Sequence, residues 1–241
     1  MISKNEVKYI QSLYDKKNRD EEGLFIAEGP KLVKELLESN LIIKNIFATN
    51  EWIKQNISDS IVKEISPDEL KSISNLQTPN QVLAVVQKKP VLSVPGLEEK
   101  LSLMLDGIQD PGNFGTIIRI ADWFGIDTIF ASGDTADVYN PKVIQSTMGS
   151  FIRINIFYGH LKNILKQAFL LPVYGAMLNG KSVYEMKQIK EGIIVIGNES
   201  KGIRYNILPY IFHPITIPQK GKAESLNAAI ATGIILSHLV H

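Results

Sequence analysis

Three short stretches of this chain place polar side chains where group chemistry needs them. The first is Asp110–Arg119, DPGNFGTIIR, which follows the apolar run Leu101–Leu105 and opens into IADWFG. A glycine-bearing turn between a strand and a helix commonly receives a phosphate, because unpaired N–H groups at the helix start attract anions. This turn has neither a G-x-G-x-x-G pattern nor a P-loop lysine. It has Asn113, suited to cap a helix beginning near Phe114, and Arg119, about 9 Å further along a helix axis. Arg119 sits among Ile117, Ile118, Ile120 and Ala121, so its cation requires a partner or a ligand. Asp122 at i+3 is the local candidate for that partner.

The second stretch is Ile194–Ile203, IVIGNESKGI. A buried apolar strand there delivers Gly197, Asn198 and Glu199 at its carboxyl end, where open parallel sheets bind ligands. Gly197 permits a close backbone approach or unusual dihedrals. The third is Ile215–Ile234, ITIPQKGKAESLNAAIATGI. A strand ends at Pro218, a glycine turn follows, and Ser225-Leu226-Asn227 opens a helix rich in small residues. Ala228, Ala229, Ala231 and Gly233 imply close packing against another backbone or a partner chain. Taken singly, the second and third stretches also read as a polar turn and a helix cap.

The elements that must hold these residues alternate between strand and helix. The first ~25 residues pattern as a helix, with Val7, Ile10, Leu13 and Tyr14 on one face. LFIAEG, IIKNIFAT, IVKEIS and QVLAVVQ read as strands. Helices lie between them at PKLVKELLES and EWIKQN and after Ser66. This gives a small α/β domain over 1–90. KKPVLSVPG, with two prolines and a glycine, is a boundary. Beyond it, LSLML, TIFAS, FIRINIF, PVYGAM, IIVIGN and PITIP read as strands, several of them continuously apolar, as when helices cover both sheet faces. A parallel α/β domain over 98–241 follows.

Composition sets limits. The chain has 241 residues, 44% hydrophobic and 21% charged, an ordinary globular balance. It has no cysteine, which excludes disulfides and cysteine-bound zinc. His160, His213, His238 and His241 lack metal-ligand spacing. No apolar run approaches the ~20 residues of a membrane span, and MISKNEVKYIQ is no secretory signal, so a cytoplasmic location is the expectation. The net charge of +1 predicts no broad nucleic-acid-binding face. Local cations cluster at Lys16, Lys17 and Arg19, at Lys201 and Arg204, and at Lys220 and Lys222.

In order, N-x-G-x-x-x-R, I-G-N-E-x-x-G and I-P-x-x-G-x-x-E-S-L-N-x-A resemble the motifs of the SpoU (TrmH-type) RNA ribose 2'-O-methyltransferases of the SPOUT superfamily. The likeness spans the C-terminal domain, including ADVYNPKVIQSTMGS. GLFIAEGPKLVKELL resembles the family's RNA-binding domain, related in fold to small ribosomal proteins. The resemblance implies a trefoil knot, an exception among folds, and a homodimer with the final helix at its interface. It implies S-adenosylmethionine held by Ala176–Asn179, Ile196–Gly202 and Ile217–Asn227. Met177, Leu178, Gly197, Asn198, Ile217, Pro218 and Leu226 are the cofactor contacts it implies. The catalytic set it implies is Asn113, Arg119, Glu199, Ser225 and Asn227. RNA contacts are expected from Lys16, Lys17, Arg19, Lys201, Lys220 and Lys222. No metal and no membrane are expected.

An arginine with a pKa above ~12 is a poor base. Arg119 is therefore expected to bind the target phosphate or hydroxyl, with the proton leaving through a relay or water. Gln145 stands where many relatives carry an arginine, removing one phosphate contact. Large-subunit ribosomal RNA is the first expectation for substrate. The alternatives are transfer RNA, a non-catalytic RNA-binding assembly factor with the same fold, and a base-methylating SPOUT enzyme.

Overall fold

The computed structural model describes residues 1–56, 61–90, 93–94 and 96–240. Parts of the expected boundary segment, residues 91, 92 and 95, and His241 lie outside the described residues. The chain divides into two compact units: Met1–Val91 with Tyr139–Ile152, and Leu92–Val138 with Arg153–His241.

The first unit opens with two helices rather than the single one that its periodicity predicts. Helix α1 (Lys4–Ser12) starts at a capping box in which Ser3 and Glu6 satisfy each other's backbone N–H. It stops because the Asp15 side chain accepts from Lys17 N and starts a new helix, α2 (Lys16–Glu22). Gly23, at φ 65°, closes α2 in the left-handed conformation that glycine adopts without strain. Strands β1 (Leu24–Glu28), β2 (Ile43–Ala48), β3 (Val62–Glu64) and β4 (Val82–Gln87) form a mixed sheet in the order β1-β4-β2-β3. Helices α3 (Pro30–Leu37), α4 (Asn50–Gln55) and α5 (Pro67–Ile73) lie between the strands, and α5 begins at Ser66 with the capping box that S-P-D-E implies.

Helix α7 (Pro141–Thr147), whose sequence lies in the middle of the second domain, belongs to the first unit. Its flanking aromatics explain this. Phe25 on β1 lies 4.9 Å from the Tyr139 ring and meets Phe151 edge-on at 5.7 Å, geometries that add to simple burial.

In the second unit, six strands pair wholly in parallel. They are β5 (Leu101–Asp106), β6 (Thr128–Ser132), β7 (Asn155–Gly159), β8 (Val173–Ser182), β9 (Gly192–Gly197) and β10 (His213–Thr216), in the order β10-β8-β9-β5-β6-β7. Strands β5, β6 and β9 are buried almost throughout, which accounts for their continuous apolar sequence. FIRINIF is a strand only from Asn155 onward; Ser150–Ile152 form a 3-10 turn. Helices α6 (Pro111–Trp123), α8 (Leu161–Gln167) and α9 (Ala228–Leu239) complete the unit. From β5 the order runs one way through β6 and β7, while the later strands extend from β9 on the other side. The carboxyl ends of β5 and β9 thus flank the switch point, where such sheets bind ligands.

Candidate active site

Strand β5 hands the chain to Gly107, φ 78°, and then to the loop that precedes α6. Asp110, not Asn113, caps α6: its carboxylate accepts from Asn113 N at 2.7 Å. The expectation that Asn113 caps the helix is thus corrected. An aspartate three residues earlier does that work and leaves the Asn113 side chain free.

That side chain is the centre of a hydrogen-bond chain. Asn113 Nδ2 donates to Glu199 Oε1 at 2.6 Å, and Asn227 Nδ2 donates to Asn113 Oδ1 at 2.8 Å. Asn227 caps α9, its Oδ1 accepting from Ala229 N at 3.0 Å and Ile230 N at 3.2 Å. The direction of the chain follows from these caps. Backbone N–H groups can only donate, so Asn227 must present its oxygen to α9 and its NH2 to Asn113. Asn113 must then turn its own NH2 toward Glu199, which accepts as a carboxylate. Asn113 is thus joined to residues 86 and 114 positions further along the chain, Glu199 and Asn227, and all three are aligned by the start of one helix.

Of the remaining expected catalytic residues, Ser225 is exposed, and its side chain makes no hydrogen bond among the described residues. Arg119 is exposed and forms no ion pair or hydrogen bond among the described residues. Asp122, its local candidate partner, is taken by Arg153, whose Nε and Nη2 reach it at 3.0 and 2.7 Å. Arg119 and Asn113 are separated by about 240° of helical rotation, so they leave α6 in different directions.

The expected cofactor loops are tied together. Thr216 Oγ1 donates to Leu178 O at 3.1 Å, joining the end of β10 to β8. Between its two stretches of pairing with β10, the register shifts, so 176–180 of β8 have no β10 partner in the ladder. Gln219 Nε2 holds the next turn through Gly221 O at 2.9 Å and Ala223 O at 2.6 Å. Leu178 and Leu226 are 72% and 46% exposed, while Met177 and Ile217 are half-buried and Pro218 is exposed. Exposed apolar side chains on loops that also present backbone N–H and C=O groups suit a ligand with an aromatic base and an amino-acid end. They offer no phosphate cradle. The residues fit S-adenosylmethionine in that sense.

Gly197 is a glycine because the Gly202–Ile203 backbone crosses directly over it, where any Cβ would collide. Asn198 works inside the protein: its Nδ2 donates to Gly107 O at 2.8 Å, and its Oδ1 accepts from Ser200 N and Lys201 N. The small residues of α9 also serve the chain itself. Ala228 and Ala229 are buried, and Gly233 faces Ile120 of α6.

The cations divide. Lys201, Lys220 and Lys222 are exposed and unpaired among the described residues. Lys16 and Lys17 pair along α2 with Asp20 at 3.2 Å and Glu21 at 3.9 Å. Arg19 does not belong to an RNA-binding surface. It is 1% exposed, and its Nη1 donates to Leu13 O at 3.1 Å and Tyr14 O at 2.8 Å, closing the carboxyl end of α1, where carbonyls lack helical partners. Arg204 is likewise engaged within the protein.

Sequence reasoning missed one cluster. Asp106 is buried at the end of β5 and accepts from Arg204 N at 2.7 Å and Arg204 Nε at 2.6 Å. Arg204 Nη2 reaches Asp134 at 3.2 Å, and Ser132 Oγ links Asp134 Oδ1 at 2.7 Å with Gly107 N at 2.8 Å. The Ser132 hydroxyl, then Arg204, hold the Asp134 carboxyl below its ordinary range, and Asp106 raises the Arg204 guanidinium further. An aspartate closing the apolar strand LSLMLD was the available signal, since a buried charge demands a partner.

These features define a two-domain α/β protein with a polar site at the switch point of a parallel sheet. Among the described residues no helix is long and apolar enough to cross a membrane, and no three acidic or histidine side chains could hold a metal ion. Residues 100–237 match the model of the SpoU rRNA Methylase family, and 4–84 match that of the MRM3-like substrate binding domain. The chain belongs to the SpoU rRNA methylase family. It is 34% identical to the Bacillus subtilis 23S rRNA (guanosine(2553)-2'-O)-methyltransferase RlmP, over 97% of this chain and 95% of that one. An RNA methyltransferase of the TrmH family from Porphyromonas gingivalis superposes with a TM-score of 0.88 at 38% identity, covering 99% and 98% of the two chains. An AdoMet-bound rRNA methyltransferase from Sinorhizobium meliloti does so at 0.86 and 29%, covering 99% and 95%.

Proposed function

We infer that the protein is an S-adenosylmethionine-dependent methyltransferase acting on a ribose 2'-hydroxyl of large-subunit ribosomal RNA. The observation that carries this reading is the directed chain Asn227–Asn113–Glu199 at the switch point, in a chain aligned nearly end to end with a 23S rRNA 2'-O-methyltransferase. When bound, the cofactor supplies a methyl group on a sulfonium, whose departure leaves a neutral thioether. Leu178 and Leu226 would hold its apolar part, and the backbone of 176–179, 196–198 and 217–218 would meet its polar groups. Glu199 Oε1 is occupied by Asn113, so Oε2 is the oxygen left to accept from the ribose hydroxyl and take its proton as transfer proceeds. Asn113 and Asn227 keep that carboxylate from rotating, so the hydroxyl is met in line. Arg119, exposed and unpaired among the described residues, binds an RNA phosphate through its guanidinium fork. Lys201, Lys220 and Lys222 extend that contact.

A homodimer and a trefoil knot belong to the same proposal. Arg119 leaves α6 on a different side from Asn113, near Trp123 at i+4, which is 85% exposed; Ile230 on α9 is 57% exposed. This supports a face shared with a second copy. The knot is supported by the tight crossing over Gly197 and by a second at Gly180, where a Cβ would lie 2.7 Å from Pro214 and Ile215 backbone. A cytoplasmic location belongs to the same proposal.

The test is calorimetry with S-adenosylmethionine, light scattering, and methyl transfer to unmodified 23S rRNA and to tRNA with mapping of the product. We expect a particle of twice 26.9 kDa, cofactor binding, and ribose methylation of 23S rRNA. Arg119→Ala and Glu199→Gln should each lower turnover by roughly 10²-fold or more while cofactor affinity holds. Absent cofactor binding, or base methylation, would sink the reading.

A further inference from the structure

Glu199 does not sit on a strand or helix. It lies in the loop between β9 and Arg204, and something must hold that loop against Asn113 on α6. The loop is closed on itself, Asn198 N donating to Gly202 O at 3.1 Å and Gly202 N to Asn198 O at 2.8 Å. It is then pinned at both ends to the strand beside it. At the start, Asn198 Nδ2 donates to Gly107 O, just past β5. At the end, Arg204 grips Asp106, the last residue of β5, through its backbone N–H and through its guanidinium.

The Arg204 grip is itself braced. The Asp106 side chain is fully buried while that of Arg204 is 45% exposed, so the carboxylate is fixed and the arginine closes over it. Asp134 holds the outer guanidinium nitrogen at 3.2 Å. Ser132 Oγ binds Asp134 and receives Gly107 N. The ends of β5, β6 and β9 are thereby joined in one polar ring, and the Glu199 loop is suspended between two of its members. Neither Arg204 nor Asp106 hydrogen-bonds to Asn113, Glu199 or Asn227 among the described residues.

We propose that Arg204 is a positioning residue for methyl transfer: its two-point grip on Asp106 holds the Asn198–Arg204 loop so that Glu199 meets Asn113. The proposal rests on the functional reading above, in which Glu199 serves the ribose hydroxyl. A guanidinium suits this role because its planar fork fixes direction as well as distance. Lysine supplies the charge without the fork.

The test compares Arg204→Ala, Arg204→Lys and the double variant Arg204→Ala with Asp106→Asn in the full-length protein. Two measurements are made on each: steady-state methyl transfer to 23S rRNA, and the NMR signals of the Asn113 side-chain NH2 without substrate. Arg204→Ala should lower kcat by about 10²-fold, as small misplacements of a reacting group do, with KM for RNA within about twofold. The Asn113 NH2 signals should shift and exchange faster with water. Arg204→Lys should recover part of both. Since Arg204→Ala strands a buried carboxylate and can fail to fold, the double variant removes that charge and keeps an acceptor for the residue 204 N–H. It should fold and still show low kcat and altered Asn113 signals. Wild-type kcat, or unchanged Asn113 signals, in the folded double variant would overturn the proposal. A wild type that binds no S-adenosylmethionine would refute the functional reading instead, and the Asn113 signals would still test the grip.

Discussion

Asn227 joins helix stability to the site, and substitution can separate the two. Asn227→Ala removes the α9 cap, costing about 1 kcal/mol, and breaks the hydrogen bond to Asn113. Asn227→Asp keeps an acceptor for Ala229 N and Ile230 N and suits the positive helix end. It also sets a second oxygen against Asn113 Oδ1, where only a donor fits. Asn113 must then turn its NH2 toward residue 227 and away from Glu199. Thermal unfolding of Asn227→Asp should match wild type within about 2 °C, while turnover falls at least about tenfold. Unaltered turnover would show that the Asn227–Asn113–Glu199 chain does not serve the reaction. The resemblance to the family's motifs singled out all three residues, but not which atom of each faces which neighbour, because that depends on folded backbone donors.

Among the connecting segments, Lys89 just beyond β4 offers a pH test. It is largely buried, its Nζ donating to Phe151 O at 2.7 Å, and burial lowers its pKa from 10.5 to about 8. In the unfolded chain the same lysine keeps its proton to about 10.5. Between those values the unfolded state binds more protons, so stability rises with pH across that window. Denaturant unfolding should show this rise from pH 8 to 10, and Lys89→Met should flatten it. A slope unchanged in the variant would mean that another group titrates there. Most strands and caps of both units were legible from alternation and from short signals such as Ser66–Glu69. The break between α1 and α2 was not, since the apolar face runs on across it while Asp15 restarts the helix locally.

For the molecule as a whole, a net charge of +1 concentrates RNA attraction in a few places. Of the six cations expected to meet RNA, Lys16 and Lys17 are paired and Arg19 is buried, while Lys201, Lys220 and Lys222 are exposed and unpaired among the described residues. If each meets a phosphate of unpaired RNA, replacing all three with glutamine should reduce the slope of log K against log salt by about 2. The same variant should bind S-adenosylmethionine as wild type does. A slope unchanged within error would move the RNA contacts elsewhere.

Residue order was enough to establish the alternation of strands and helices, the burial of β5 and β9, and the motifs that mark the family, since period and residue type act within a few neighbours. The resemblance of those motifs to the family's implied Asn113, Arg119, Glu199, Ser225 and Asn227 as a set. Three matters required the folded chain: the capture of Tyr139–Ile152 by the first unit, the burial of Arg19 under α1, and the ring that ties Arg204 to Asp106. Each depends on where segments distant in sequence meet. A cation reads the same in sequence whether it faces solvent, caps a helix or closes over a buried carboxylate; only its neighbours in space distinguish the three.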